Sequence, residues 1–235
     1  MMDSERAGRT IRILGNESFT RLASARVLVC GVGGVGGYAA EHLIRSGVGN
    51  LALVDGDTVD VSNINRQIAA LSGTIGKYKC DVLKSRFLEI NDSADIIVYN
   101  KFLKSAQDID TLLEEEYDFV IDAIDDVPAK IELIAGCVKR SIPLISSMGA
   151  AGKLDISKIK MADISKTTDC PLARVVRRKL RERGINKGVL TVFSTEEAIS
   201  SAGREKPGSL SHIVSTFGAC CAQAAIAHII QPDMI

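Results

Sequence analysis

Residues 30–37 read Cys-Gly-Val-Gly-Gly-Val-Gly-Gly, directly after the apolar run Arg26–Cys30 and at the start of a helical pattern over Gly34–Arg45. No other stretch limits the fold so strongly. Five glycines in eight residues cannot form the interior of a helix or strand, so they must join a buried strand to a helix through a tight turn. Gly31 permits the turn, Gly33 and Gly34 let a ligand approach the backbone, and Gly36 or Gly37 lets helix and strand pack closely. The helix N-terminus then presents unpaired N–H groups to a phosphate. Asp55 closes the next apolar run, Leu51–Asp55, where an acid can hold ribose hydroxyls. At this point NAD and ATP fit equally well.

The chain has 235 residues, 46% of them hydrophobic, enough for one large α/β domain or a domain with a small appendage. Helical and apolar segments alternate: a helix near Lys79–Ile90, a strand at Ile96–Tyr99, a helix near Asp108–Glu115, and a strand at Phe119–Asp122. A helix over Val127–Arg140 and a strand at Pro143–Ser146 follow. This rhythm predicts a Rossmann-like, doubly wound and mainly parallel sheet whose ligand lies beyond the carboxyl ends of its strands. Gly31, Asp55 and Asp122–Asp126 should therefore converge. We expect residues 1–150 to form the nucleotide-binding region and 151–235 a substrate-side extension within one compact unit. That extension should hold a strand at Ile156–Met161, a helix at Pro171–Arg183, an apolar run at Val189–Phe193 and a polar loop at 194–209. Between Ser209 and Asp233 there is no acid, lysine or arginine, but Ser215, Thr216, Gln223 and His228 interrupt the apolar run. A buried or dimer-interface helix is expected there, not a membrane span.

Formal net charge is zero, so only a local patch could attract nucleic acid. Such a patch lies at 174–187, where Arg174, Arg177, Arg178, Lys179, Arg181, Arg183 and Lys187 face one acid, Glu182. Leu172, Val175, Val176 and Leu180 recur at helical spacing beside it, giving one apolar and one basic face. The six cysteines contain no C-x-x-C pair, which argues against a zinc clip and for reduced thiols. No secretory leader is visible in Met1–Thr10, so a cytoplasmic protein is expected.

A dehydrogenase does not explain Asp55-Gly56-Asp57, Asn63-Ile64-Asn65-Arg66-Gln67 and Gly76-Lys77-Tyr78-Lys79. Together with Gly-x-Gly-Gly-x-Gly at 31–36 and Asp122-Ala123-Ile124-Asp125, their order over residues 4–150 resembles an adenylate-forming superfamily. It includes ubiquitin-activating enzymes and ThiF-like sulfur-carrier adenylyltransferases. Attack of a carboxylate on the α-phosphorus of ATP brings anions together, so cations must neutralise phosphate while an acid holds Mg2+. Arg66 and Lys79 suit the first task and Asp125 the second. The resemblance implies Gly31, Gly33, Gly34 and Gly36 as the cradle, Asp55 on the ribose, and Asn63, Arg66 and Lys79 on the phosphates. It adds Asp57 and Gln67 to the cofactor-binding set and Asp125 as metal ligand. Arg9 matches an arginine contributed from a neighbouring protomer, implying a homodimer with sites across the interface. Arg66 or Lys79 taken alone would read as a solvated cation, and Asp57 and Asp122 would serve as well as caps.

In the second half, SSMGAAGKLD at 146–155, ADISKTTDCPLARVVRRKLRERGI at 162–185, VFSTE at 192–196 and PGS at 207–209 resemble the tRNA threonylcarbamoyladenosine dehydratases. The segment from His212 onward departs from that pattern. The resemblance implies ATP-dependent cyclisation of N6-threonylcarbamoyladenosine in tRNA through an adenylated carboxylate. The tethered nucleophile needs no protein nucleophile beside it. The alternative is an adenylyltransferase activating the C-terminus of a ubiquitin-like sulfur carrier, and a sulfur-transfer partner stays open. Cys170, before Pro171, would favour a thiolate at a helix N-terminus or simply cap that helix.

Overall fold

The computed structural model describes residues 2–199 and 208–231. The apolar runs form β1 (Arg26–Cys30), β2 (Asn50–Val54), β3 (Asp95–Tyr99), β4 (Phe119–Asp122), β5 (Leu144–Ser147), β6 (Ile159–Asp163) and β7 (Leu190–Ser194). These make one sheet in the order β3-β2-β1-β4-β5-β7-β6, parallel except for β6, which runs antiparallel to β7 at the edge. β1 pairs with β2 on one side and β4 on the other, so the winding reverses at β1. That reversal opens a crevice at the strands' carboxyl ends.

Tyr99, Val54, Cys30, Asp122 and Ser146 form one aligned rung across β3, β2, β1, β4 and β5. The segments leaving that rung begin level with one another. Side chains alternate between two cores, with Val27 and Val29 on one face of β1 and Leu28 and Cys30 on the other. The first face is covered by α2 (Gly36–Ser46), α3 (Lys79–Ile90) and α7 (Ser211–Ile230), and the second by α4 (Ala106–Leu112), α5 (Val127–Lys139) and α6 (Pro171–Glu182). α1 (Ser4–Ser24) breaks at Gly15, where φ is +79°.

The local chemistry explains most boundaries. α2 begins at Gly36, two residues later than its pattern predicts, because Gly33 and Gly34 stay in the turn. It ends at Gly47, whose φ of +100° is the left-handed conformation that favours glycine. Asp126 caps α5 by accepting the Ala129 N–H, with Pro128 in the first turn. β6 starts at Ile159 rather than Ile156, because Asp155 caps a short 3-10 turn over Ile156–Lys158 through the Ser157 N–H.

α7 is long and apolar enough to cross a membrane, and among the described residues it alone is. Its Ile213, Phe217, Cys221 and Ala225 instead enter the core. A Cβ on Gly218 would lie 2.6 Å from the Val35 carbonyl oxygen, so this glycine lets α7 press onto the start of α2. Half of the loop expected at 194–209, including Pro207 of the PGS motif, falls on 200–207 and lies outside the described residues.

Candidate nucleotide and catalytic site

The glycine turn meets the segment after β4. Gly31 has φ +82°, and a Cβ there would lie 2.7 Å from the Ala123 carbonyl oxygen. Ala123 in turn donates its N–H to the Cys30 carbonyl at 2.8 Å. A Cβ on Gly36 would collide with the Gly31 carbonyl oxygen, so both glycines are demanded by the backbone itself. Gly33 and Gly34 differ. Among the described residues only the Gln67 side chain stands beside Gly33, its Nε2 3.6 Å from where a Cβ would lie, whereas a Cβ on Gly34 would press on Val214 of α7 at 3.2 Å. Gly34 therefore accommodates a helix, and Gly33 keeps open backbone.

Asp55 follows β2 and ties the turn to the next segment. One carboxylate oxygen accepts the Val32 N–H and the other the Asp57 N–H, each at 2.8 Å. Burial pushes its pKa above the ordinary carboxylate value despite those two bonds. Phe102, just beyond β3, lays its half-exposed ring on Gly56, where a Cβ would come within 2.6 Å. The Lys104 ammonium stands 5.6 Å from that ring.

The cations come from the segment between β2 and α3. Lys79, the first residue of α3, is buried and pairs with Asp57 at 2.7 Å. Arg66 is half-buried and donates to the Ser62 carbonyl and the Asn65 side chain, both at 2.9 Å. Asn63 is buried and caps its own turn, accepting the Asp60 N–H while its backbone carbonyl takes the N–H groups of Arg66 and Gln67. Gln67 Oε1 is the single buried side-chain oxygen or nitrogen without a partner among the described residues. An unpaired buried acceptor is costly. The end of the same amide that stands beside Gly33 is Nε2, 3.6 Å from where a Cβ would lie, so it is a donor that faces the open backbone there.

Asp125 is exposed after β4 and takes no hydrogen bond or ion pair among the described residues. Asp122 does the opposite. It is fully buried, pairs with the equally buried Lys130 at 2.8 Å, and accepts the Ile124 N–H at 3.1 Å. The carboxylate open to a metal is thus Asp125. An oxygen donor beside phosphates suits Mg2+, which takes one or two carboxylates and completes its shell with phosphate and water. No group of three or more metal-binding side chains occurs among the described residues.

The segments that close the crevice are joined by hydrogen bonds. Asn65 donates to the Ser209 carbonyl at 3.1 Å, the Gly152 N–H to the Gly208 carbonyl at 2.8 Å, and the Glu196 carboxylate takes the N–H groups of Leu154 and Asp155. Lys153 is buried and donates to the Glu196 carbonyl. Arg9 is not part of this network. Arg6, one turn before it on α1, pairs with Asp92 ahead of β3, at the opposite end of the strands.

In the second half, Cys170 Sγ is buried and accepts the Ala173 N–H at 3.5 Å, so this thiol caps α6. Arg174, Arg178, Lys179 and Arg181 of α6 are exposed. Arg177 is not free: it donates to the Thr167 carbonyl and hydroxyl. Arg183 pairs with Glu132 of α5.

Lys130 and Phe102 escape the reading of motifs. Lys130 had a signal, since it shares the helical face of α5 with Leu133, Ile134 and Cys137, where a charge must find a buried partner. Phe102 had none, because only the sheet brings the end of β3 beside Gly56.

Sheet, glycine turn and strand-end acids define a nucleotide-binding α/β protein with its site at the winding reversal. A profile of the ThiF family matches residues 7–235. The chain is 48% identical over 186 residues to the tRNA threonylcarbamoyladenosine dehydratase of Bacillus subtilis, covering 79% of this chain and 73% of that protein. To the Escherichia coli dehydratase it is 39% identical over 202 residues, 83% and 75% of the two chains. The crystal structure of the E. coli enzyme in complex with ATP superposes with a TM-score of 0.93, at 35% identity, over 97% of this chain and 95% of that one. The chain belongs to the ThiF family, among its tRNA threonylcarbamoyladenosine dehydratases.

Proposed function

We propose that this chain is an ATP-dependent enzyme that dehydrates N6-threonylcarbamoyladenosine in tRNA to a cyclic form. The observation that carries the reading is the extent of the likeness: it runs through the glycine turn and the α6 half alike, over 97% of a chain compared with a dehydratase that was solved with ATP.

ATP enters with its phosphates on the glycine turn, Asp55 accepting from the ribose hydroxyls and the exposed Phe102 ring offering a stacking face to the adenine. The Gln67 side-chain amide, whose Nε2 stands beside Gly33, donates to a phosphate oxygen. Arg66 uses the part of its guanidinium not engaged with Ser62 and Asn65, and Lys79 its two remaining N–H groups, to offset phosphate charge. Asp125 would hold Mg2+, which when bound neutralises charge on the phosphates.

The threonylcarbamoyl carboxylate attacks the α-phosphorus, forming an acyl adenylate and releasing pyrophosphate. A nucleophile of the same side chain then attacks the acyl carbon and AMP leaves with the former carboxylate oxygen. The ring forms with net loss of one water. Arg66 and Lys79 stabilise the first step electrostatically, and no enzyme nucleophile is required for the second. Cys170, held as a helix cap, has no part in it. The exposed arginines of α6 contact the tRNA backbone, and Arg9 reaches the site of a partner subunit in a homodimer.

Incubation with ATP, Mg2+ and tRNA carrying threonylcarbamoyladenosine should yield a nucleoside lighter by one water in mass spectrometry. An unchanged nucleoside, with a control dehydratase active on the same tRNA, would sink the proposal. Pyrophosphate exchange that depends on a ubiquitin-like carrier rather than tRNA would point to carrier activation instead.

A further inference from the structure

Lys130 and Asp122 are a buried ion pair that the reaction above does not use. Both side chains are fully shielded from solvent. Taking two charges out of water costs free energy that their attraction does not reliably repay, and an apolar pair of similar volume often serves stability as well. The arrangement therefore points away from stability and toward geometry.

Its geometry is complete. Lys130 Nζ donates to Asp122 Oδ2 at 2.8 Å, the Ser147 carbonyl at 3.0 Å and Ser146 Oγ at 3.3 Å, which uses its three protons. Ser146 Oγ donates to Asp122 Oδ2 at 2.5 Å. The ammonium and the hydroxyl thus hold one carboxylate oxygen, leaving Oδ1 aimed at the Ile124 N–H at 3.1 Å. Ile124 precedes Asp125. On the other side of Asp125, Asp126 is pinned by its bond to the Ala129 N–H at the start of the helix that carries Lys130. Residues 122–130 form a closed loop with Asp125 at its open tip.

We propose that Lys130 and Ser146 are positioning residues: they orient Asp122 so that it grips the Ile124 N–H and thereby fixes the Asp125 carboxylate over the crevice. The proposal rests on the reading of Asp125 as the Mg2+ ligand, and the experiment separates the two.

Full-length parent, Asp122→Leu/Lys130→Met, Ser146→Ala and Asp125→Ala are compared by calorimetry of ATP binding with Mg2+ and with EDTA, alongside thermal unfolding. The double variant removes both charges without leaving either unpaired but takes the partners of the Ser146 hydroxyl and the Ser147 carbonyl, so its melting temperature should fall by a few degrees while unfolding stays cooperative. It should bind ATP in EDTA like the parent but lose about tenfold or more of the tightening that Mg2+ confers. Its kcat for dehydration should fall while KM for tRNA holds. Ser146→Ala keeps the ion pair and should lose about two- to threefold of the same tightening. Parent-like tightening in a folded double variant overturns the proposal, as does parent-like tightening in Ser146→Ala if the double variant does not fold. A parent-like Asp125→Ala overturns the reading of Asp125 and the route through it. A deficient Asp125→Ala beside a parent-like double variant overturns the role of Lys130 alone.

Discussion

Asp55 concentrates the electrostatics of the site in one carboxyl group. Two backbone N–H groups favour its charged form, yet burial outweighs them and the pKa rises. The folded chain consequently holds this proton more tightly than the unfolded chain does. As pH climbs from the ordinary carboxylate value through the raised one, Asp55 by itself subtracts from stability. Acceptance of ribose hydroxyls needs the charged form, so binding should weaken as pH falls through the raised pKa, sooner than for an ordinary aspartate. Adenosine is the suitable probe, having no phosphate to titrate. Its affinity, measured by calorimetry from neutral to mildly acid pH, should drop in the parent and be weak and flat in Asp55→Asn. A parent profile flat down to the ordinary carboxylate range would refute the assignment. Asp55, Lys79 and Asp125 stand out in the sequence because their order along the chain matches a chemical task. The sequence reads Asp125 as the metal ligand and leaves Asp122 between a cap and a site role; the burial of Asp122 against Lys130 is what only the fold shows.

Among the elements, α6 is where charge and packing divide most sharply. Ala173, Val176 and Leu180 are buried, while Arg174, Arg178 and Arg181 face solvent. The basic run marks the helix but does not say which arginines are available, since Arg177 is spent on the loop at Thr167 and Arg183 on Glu132. Replacing Arg174, Arg178 and Arg181 by Ala should weaken tRNA binding and reduce the slope of log affinity against log salt by about 2–3, with ATP affinity unchanged. Arg177→Ala should instead lower the melting temperature and move the salt slope little. Filter binding across a salt series decides it, and equal slopes in the triple variant and parent would remove α6 from the tRNA surface. The start of α5 was readable from its cap Asp126, whereas α2 shifted because Gly33 and Gly34 stay in the turn, β6 because Asp155 caps a 3-10 turn ahead of it, and α4 because Ser105 caps it at Ala106, ahead of the expected Asp108.

For the whole molecule, the placement of Arg9 poses the main question. Arg6 and the start of α1 are anchored at the amino-terminal end of the sheet, away from the crevice, so a role for Arg9 needs a second subunit. Arg9→Ala and Lys79→Met should each be nearly inactive alone. Mixed and refolded together, they should regain about a quarter of parental activity, because half of the dimers then carry one intact site. No recovery would mean that each site is built within one chain. Sequence by itself determined the strand–turn–helix rhythm, the glycine cradle and the ordered set of acids and cations, because backbone freedom and local charge chemistry are properties of neighbours along the chain. Tertiary structure alone decided the pairing of Lys130 with Asp122, the ring of Phe102 on Gly56, and the Gln67 side-chain amide beside Gly33. Those depend on which distant segments the sheet brings level at one rung, and nothing local to any of these residues encodes that.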